Sequence, residues 1–312
     1  LITGGAGFIG SQLAARLIRE DRPIVILDNF DDYYDPSVKR ANVAQLGTAA
    51  IVVEGDIRDT NCLRQVFEQF PIKRVAHMAG LGGVRNSIEN GPLYAEVNTR
   101  GSVNLMDMAR QHAVEVFIQA STSSVYGQTS RVPFTEDEAP DQPLAPYPAS
   151  KRAAEIFGYS YHHLFGLNVT VLRFFNVYGP YGRPDMMPVK AIQSILNNQV
   201  ISLYHDGQLE RDWTYIDDIV DGIVTALERP MGYQVLNLGY GSPLSLNAFI
   251  AIYERLIGKR ALTQSVPAPA SEPPITYCDN ARAKALLGFS PKVDIYEGLR
   301  LTWAWYQTTH GL

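Results

Sequence analysis

Six short apolar runs punctuate the first half of the chain: "LITGG" (1–5), "PIVILD" (23–28), "AIVVEGDI" (50–57), "RVAHMAG" (74–80), "VFIQAS" (116–121) and "NVTVLRF" (168–174). Each has the length of a strand, and most are separated by stretches whose apolar positions recur at helical spacing. Strands alternating with helices predict parallel pairing with crossover helices on both faces, so the expected fold class is α/β, a doubly wound parallel sheet. After about Phe175 the texture changes to loops rich in Pro, Gly and aromatic residues, "YGPYGRPDMMP" and "VPAPASEPPITYC". Between them "YQVLNLG" (233–239) reads as one more buried strand, expected to return to the main sheet. The expected organisation is a sheet domain over 1–175 plus about 214–240, and a smaller α+β lobe over about 176–213 plus 241–312.

Composition changes this picture mainly by exclusion. The 312 residues can bury a large core, and no uninterrupted apolar run approaches the length that crosses a bilayer. A net charge of −5 without any Lys/Arg block argues against a nucleic-acid surface, while leaving room for a few local cations to hold an anionic small molecule. Cys62 and Cys278 stand far apart and lack metal-ligand spacing, which fits a reducing compartment. The first residues carry no basic leader or cleavage site, so a cytoplasmic protein is expected; they open inside a strand, so a few residues are expected to precede them.

The chemistry begins with "TGGAGFIGSQLAARL", where Gly4, Gly7 and Gly10 mark the turn from the first strand into the first helix, and Gly5, Gly7 and Gly10 also satisfy G-x-G-x-x-G. Glycines here allow a tight turn and let the backbone approach a pyrophosphate resting on the helix N-terminus, the Rossmann arrangement. A glycine pattern alone is weak, but this one has a strand before it, an amphipathic helix after it, and Asp28 eighteen residues beyond Gly10 at the end of the second strand. A carboxylate there accepts ribose hydroxyls and repels a 2′-phosphate, which selects NAD over NADP. Asp56, ending the third strand, suits the adenine edge and equally suits a helix N-cap.

In "APYPASKRAAEIF" Tyr147 and Lys151 stand four apart at a helix start. A tyrosine hydroxyl titrates near pH 10; an ammonium one turn away, with the positive nicotinamide ring, favours the phenolate and brings it toward the working range. Tyr147 could then take a proton from a sugar hydroxyl as hydride leaves the same carbon, with Lys151 also holding the nicotinamide ribose. Y-x-x-x-K by itself more often marks an ordinary exposed helix start, and the dinucleotide fingerprint reverses those odds. Upstream, Ser121, Thr122, Ser123 and Ser124 end a strand where ligands bind in parallel sheets, although such clusters also cap the next element.

Together "TGGAGFIG", "DNFDDYYDPSVKR", "HMAG", "STSSVYG", "YPASK", "RFFNVYGP", "GRPDM", "RDWTYIDDIVDG" and "ARAKALLGF" resemble the extended short-chain dehydrogenase/reductase family, and within it the nucleotide-sugar 4-epimerases. The resemblance runs from residue 1 to about residue 300 and implies a catalytic trio of Thr122, Tyr147 and Lys151. It also implies a cofactor set of Gly4, Gly7, Phe8, Ile9, Gly10, Asp28, Asn29, Asp56, Ile57, Met78, Ala79, Gly80 and Ser121, with Tyr147 and Lys151, around a tightly bound NAD regenerated in each turnover. Related dehydratases and decarboxylases carry acidic residues just after the Thr122 position; Ser123 and Ser124 stand there instead, which favours epimerisation.

"DNFDDYYDPSVKR", "GGVRNSIEN" and "YGRPDMM" look like the branch acting on UDP-glucuronate more than the UDP-galactose branch. Oxidising C4 of a hexuronate makes a β-keto acid that loses carbon dioxide readily, so its carboxylate must be pinned. Thr122, Ser123, Ser124 and Arg183 are assigned that task, with Arg85 a further candidate, because an arginine fork suits a carboxylate. A loop salt bridge or a diphosphate contact is an equal reading of Arg183. The resemblance further implies Asn176 and Arg211 at a diphosphate, Lys190 and Tyr204 near uridine, and Asp279 near its ribose. Relatives often place a basic residue just before "PPITYCDN", where this chain has Glu272, so a second phosphate partner would come from elsewhere, such as Arg282.

Alternatives remain open: a UDP-glucose or UDP-N-acetylglucosamine 4-epimerase, a UDP-glucuronate decarboxylase, or, from another class, a catalytically silent NAD-sensing regulator. The adjacent His162 and His163 diverge on a helix and cannot form an i, i+4 metal pair, and no metal is expected. Trp213, Trp303 and Trp305 read as packing residues. Helices near 93–111 and 150–165 are apolar on more than one face, which suggests a buried or dimer-forming pair and a homodimer.

Overall fold

The computed structural model describes residues 1–127, 131–138, 141–269 and 271–312; Ala270, in the Pro-rich "VPAPASEPPITYC" segment, lies outside them. The six apolar runs form β1 (Ile2–Thr3), β2 (Ile24–Asp28), β3 (Ala50–Glu54), β4 (Arg74–His77), β5 (Val116–Thr122) and β6 (Val169–Phe174). The seventh, Tyr233–Leu238, joins the same sheet, whose order is Tyr233–Leu238, β6, β5, β4, β1, β2, β3. β1 pairs in parallel with β2 on one side and β4 on the other, Ile2 facing both Ile26 and Ala76. The chain winds outward from β1 through β2 to β3, then crosses back to β4 and winds the other way. That reversal opens a crevice at the carboxyl ends of β1 and β4, where ligands bind in such sheets.

Position in the sheet explains burial that the runs alone do not distinguish. Every residue of β2, β5 and β6 is buried, whereas β3 is an edge strand with Ile51 and Val52 exposed. One face of the sheet packs Val25, Leu27, Val75, Phe117 and Val171 against Leu63, Val66 and Phe67 of the Thr60–Gln69 helix and Leu105 and Met106 of the Ser102–Gln111 helix. Each such side chain contributes roughly 1.5–3 kcal/mol by leaving water. In helix α1 (Phe8–Arg19) the buried positions Gly10, Leu13, Ala14 and Leu17 follow the spacing of a single helical face.

The chain forms two compact units. The first comprises the described residues of Leu1–Gln128, Glu136–Phe174 and Val220–Leu236, and the second those of Thr129–Thr135, Phe175–Ile219 and Asn237–Leu312. In the second unit, Glu210–Asp212 pairs antiparallel with Pro243–Ser245 and parallel with Ile275–Thr276, while Val200–Tyr204 pairs in parallel with Leu262–Val266. Trp213 is buried against Phe249, ring centroids 4.4 Å apart, and Trp303 stacks on Tyr306, so both act in packing.

Candidate active site

The turn from β1 into α1 is held by two close approaches. Gly4 has φ +68°, and a Cβ on it would come within 2.6 Å of the Ala79 backbone nitrogen, so this loop lies directly on the segment leaving β4. A Cβ on Gly10 would overlap the Gly4 carbonyl oxygen, which brings α1 against the loop. Gly7 is the extended N-cap of α1 and offers no side chain to cap it, leaving the helix N-terminus as a backbone cradle. These two contacts draw the turn and the helix start tight, and Gly7 between them leaves the helix N-terminus open for a dinucleotide pyrophosphate to approach the backbone.

Asp28 is buried at the carboxyl end of β2, where Oδ2 accepts from the Ala6 amide at 3.0 Å and Oδ1 from the Phe30 amide at 2.9 Å. These bonds orient the carboxylate and leave each oxygen a lone pair for a ribose hydroxyl. Asn42, buried on the Pro36–Ala44 helix, donates to the Ala6 carbonyl at 3.0 Å and holds the same loop from behind. It was not picked out from the sequence; its buried amide is visible only once the helix is docked. Asn29 Nδ2 donates to Asp56 at 2.9 Å. Asp56 is gripped by the Arg58 guanidinium at 3.0 and 2.7 Å, which lowers its pKa. The N-cap reading of Asp56 is corrected: the next helix is capped by Asp59, whose side chain accepts from Asn61 and Cys62 amides, because Asp56 lies four residues before the first helical turn. Ile57 is buried beside Gly101, and Met78, Ala79 and Gly80 leave the end of β4.

Thr122 ends β5 and its Oγ1 accepts from the Ser124 amide at 3.2 Å; Ser123 to Tyr126 then form a tight turn. Tyr147 and Lys151 lie in the first turns of the Pro146–Phe165 helix, which opens with Pro146 at its start and closes at Gly166 in the left-handed region. The Tyr147 ring meets Tyr94 edge-on at 6.1 Å. Lys151 is buried and Nζ donates to the Ala120 carbonyl at 3.1 Å, beside Asn98 and the Gly80 backbone. Burial pulls its pKa down to about 8, opposed by the charge of Glu155. Below that pH it remains an ammonium facing the strand end that presents Thr122.

The sequence reading missed Asn98. Its Oδ1 accepts from the Leu81 amide at 2.8 Å and its Nδ2 donates to Leu81 O and Ser150 Oγ, both at 3.0 Å. It sits in Ala95–Gly101, a π-helical stretch inside the helix expected near 93–111, and such insertions gather at functional sites. Ser121, expected at the cofactor, turns its hydroxyl to Glu155 at 2.5 Å.

Arg85 is exposed on the short Val84–Glu89 helix. The remaining candidates belong to the second unit. Arg183 forks onto Asp185 at 2.9 and 2.6 Å, the loop salt bridge that was its alternative reading. Arg211 donates to Glu272 at 2.9 Å, so the acidic residue at the unusual position meets the cation expected at a diphosphate. Asn176 accepts from the Thr214 amide through its carbonyl at 3.3 Å, and Asp279 from the Ala281 amide at 2.8 Å. Lys190 is exposed on the Met187–Leu196 helix, and Tyr204 ends the Val200–Tyr204 strand, half-buried.

A parallel sheet reversing at β1, a glycine cradle, a buried carboxylate after β2 and a Tyr–Lys pair one turn apart define a dinucleotide-dependent enzyme of the short-chain type. Residues 1–239 match the NAD dependent epimerase/dehydratase family, and the chain belongs to that family. It is 41% identical over 308 residues to the UDP-glucuronate 4-epimerase of Thermodesulfobacterium geofontis, covering 98% of this chain and 95% of that protein. Among solved structures it resembles the Bacillus cereus UDP-glucuronic acid 4-epimerase in complex with UDP-glucuronic acid and NAD, with a TM-score of 0.92 and 32% identity, covering 99% of this chain and 98% of that one. The Thermotoga maritima UDP-glucose 4-epimerase with UDP-glucose reaches the same TM-score of 0.92 at 29% identity, with coverage of 99% and 98%. Backbone likeness therefore does not choose the sugar.

Proposed function

We propose that this chain is an NAD-dependent isomerase that inverts C4 of a UDP-hexuronate, interconverting UDP-glucuronate and UDP-galacturonate through a 4-keto sugar. The observation that carries it is the buried Lys151, one turn from Tyr147, whose Nζ donates to the Ala120 carbonyl two residues before Thr122 on β5. NAD, when bound, supplies the acceptor and then the donor of the hydride at C4; Gly4, Gly7, Gly10 and Asp28 would hold it. Lys151 favours the Tyr147 phenolate, whose oxygen takes the proton of the 4-hydroxyl and later returns it. The Thr122 hydroxyl orients the same sugar oxygen. Between the two half-reactions the keto sugar turns about its diphosphate linkage and presents its other face.

Carboxylate control decides the outcome. The C6 carboxylate is β to the C4 ketone, and it leaves as carbon dioxide when the C5–C6 bond lines up with the carbonyl π system. Hydroxyls of Ser123 and Ser124, with Arg183 or Arg85, are the groups that would hold that bond out of alignment; no acid follows Thr122 to promote elimination. Arg183 already forks onto Asp185, whose charge offsets its own, and this makes the neutral-hexose 4-epimerase the second reading. Purified protein incubated with UDP-glucuronate, without added reductant, is expected to give UDP-galacturonate and no UDP-pentose by NMR, and Tyr147→Phe to lose at least about a hundred-fold in rate. UDP-glucose turned over in its place overturns the hexuronate assignment, and wild-type turnover by Tyr147→Phe overturns the mechanism.

The enzyme acts as a homodimer. Ile88, Leu93, Ile156, Phe157, Leu164 and Phe165 are exposed on the Val84–Glu89, Gly91–Tyr94 and Pro146–Phe165 helices, an apolar surface that a second copy would cover. No helix among the described residues is long and apolar enough to cross a membrane, and the two cysteines form no disulfide, which supports a cytoplasmic location.

A further inference from the structure

Beneath the Tyr–Lys pair lies a buried ion pair that the reaction as described does not use. Glu155, one turn past Lys151 on the same helix, is 0% exposed, and Arg173 on β6 is 1% exposed. Arg173 donates from Nε to Oε1 at 3.1 Å and from its terminal nitrogen to Oε2 at 2.8 Å, a forked bond. Arg152 adds a third contact at 3.1 Å, and the Ser121 hydroxyl a fourth at 2.5 Å. The Arg173 guanidinium also lies over the Tyr126 ring, 4.7 Å from its centroid. Ser121 and Tyr126 bracket Thr122: one precedes it on β5, the other closes the turn behind it.

A buried ion pair is a poor way to gain stability, since an apolar pair of similar size does as well or better, so its placement asks for another account. We propose that Glu155 and Arg173 are positioning residues for the reaction: their pair clamps Ser121 and Tyr126 so that Thr122 is presented in one orientation, and it sets a counter-charge one turn from Lys151. This rests on the assignment of Thr122, Tyr147 and Lys151 given above.

The ionisable surroundings of Lys151 are few. On its own helix they are Tyr147, Arg152 and Glu155; from β4 comes His77, held neutral because burial, with the Lys151 charge adding, lowers its pKa to about 3. Behind Glu155 lie Arg173 on β6 and Tyr126 in the turn after β5, and Tyr94 meets the Tyr147 ring. Arg85 and Glu89 on the Val84–Glu89 helix are exposed, and so are Glu96 and Arg100, which pair with each other at 2.9 Å. On the Ser102–Gln111 helix, Asp107 and Arg110 pair at 2.9 Å. Glu155 is thus the buried anion of this set and Arg173 its buried cation.

Opposite signs make the test decisive. Glu155→Gln removes the anion one turn from Lys151; Arg173→Met removes the cation paired with that anion and leaves Glu155 its contacts to Arg152 and the Ser121 hydroxyl. The alkaline limb of the pH–rate profile and the Lys151 titration followed by nitrogen-15 NMR are expected to move down in Glu155→Gln and up in Arg173→Met, each by roughly half a pH unit or more. Ser121→Ala, which cuts only the hydroxyl link, is expected to lower kcat about ten-fold with KM and melting temperature held, and Ser121→Thr to restore it. Shifts of the same sign in both charge variants, or no shift in either, overturn the counter-charge. Wild-type kcat in Ser121→Ala overturns the clamp, and this variant decides it if the charge variants do not fold. The NMR titration needs no turnover, so a wild type inactive on UDP-glucuronate and UDP-glucose would overturn the proposed function while leaving this test intact.

Discussion

His77 shows how far one side chain can be read in physical terms. It is buried at the end of β4 between Thr3 Oγ1 at 2.7 Å and Ser102 Oγ at 2.8 Å, and burial lowers its pKa from 6.5 to about 3. Between those values the unfolded chain binds a proton that the folded chain refuses, so stability falls as pH drops from about 6.5 toward 3. His77→Gln is expected to flatten that slope by up to about 1.4 kcal/mol per pH unit in urea titrations taken between pH 6 and 4. For Lys151 the same reasoning has its window at higher pH: with a folded value of about 8 against 10.5, its burial costs stability below pH 8 and that cost fades as pH rises to 10.5. The chain thus keeps a charged amine buried at neutral pH, as expected where a phenolate must be favoured.

At the scale of elements, the β1–α1 junction sets two rules of thumb against each other. Gly to Ala inside a helix normally gains up to about 1 kcal/mol. At Gly10 the added Cβ would overlap the Gly4 carbonyl, so the sign reverses. Gly10→Ala is expected to destabilise by about 1–3 kcal/mol in thermal unfolding and to lose any NAD carried through gel filtration, because α1 must move off the loop. Such junctions are legible in sequence, since glycines followed by an amphipathic pattern are a local signature. The returning Tyr233–Leu238 strand was legible as a short apolar run of strand length. The π-helical turn at Ala95–Gly101 was not: it places the Asn98 amide against Leu81 and Ser150, partners far away in the chain.

For the whole molecule, the exposed apolar side chains of the Pro146–Phe165 helix are the feature that a single copy leaves unexplained. Leu164 is 68% exposed and Ile156 52%. Sedimentation is expected to show a dimer of the 34.6 kDa chain, and Ile156→Glu with Leu164→Glu to shift it to monomer. A wild type that sediments as a monomer at micromolar concentration would remove the homodimer.

The amino-acid sequence alone determined what depends on neighbours a few residues apart. Apolar runs and helical spacing specify strands and crossover helices, glycines with Asp28 specify the dinucleotide turn, and Tyr147 and Lys151 share a face because a helix turns every 3.6 residues. Only the tertiary structure decided which charges meet. Glu155 takes Arg173, Arg211 takes Glu272, Asp59 rather than Asp56 caps its helix, and β3 rather than β2 lies at the edge. The reason is physical: backbone preferences act within a turn or a strand, whereas pairing strength depends on burial and distance, which exist only once distant segments have packed together.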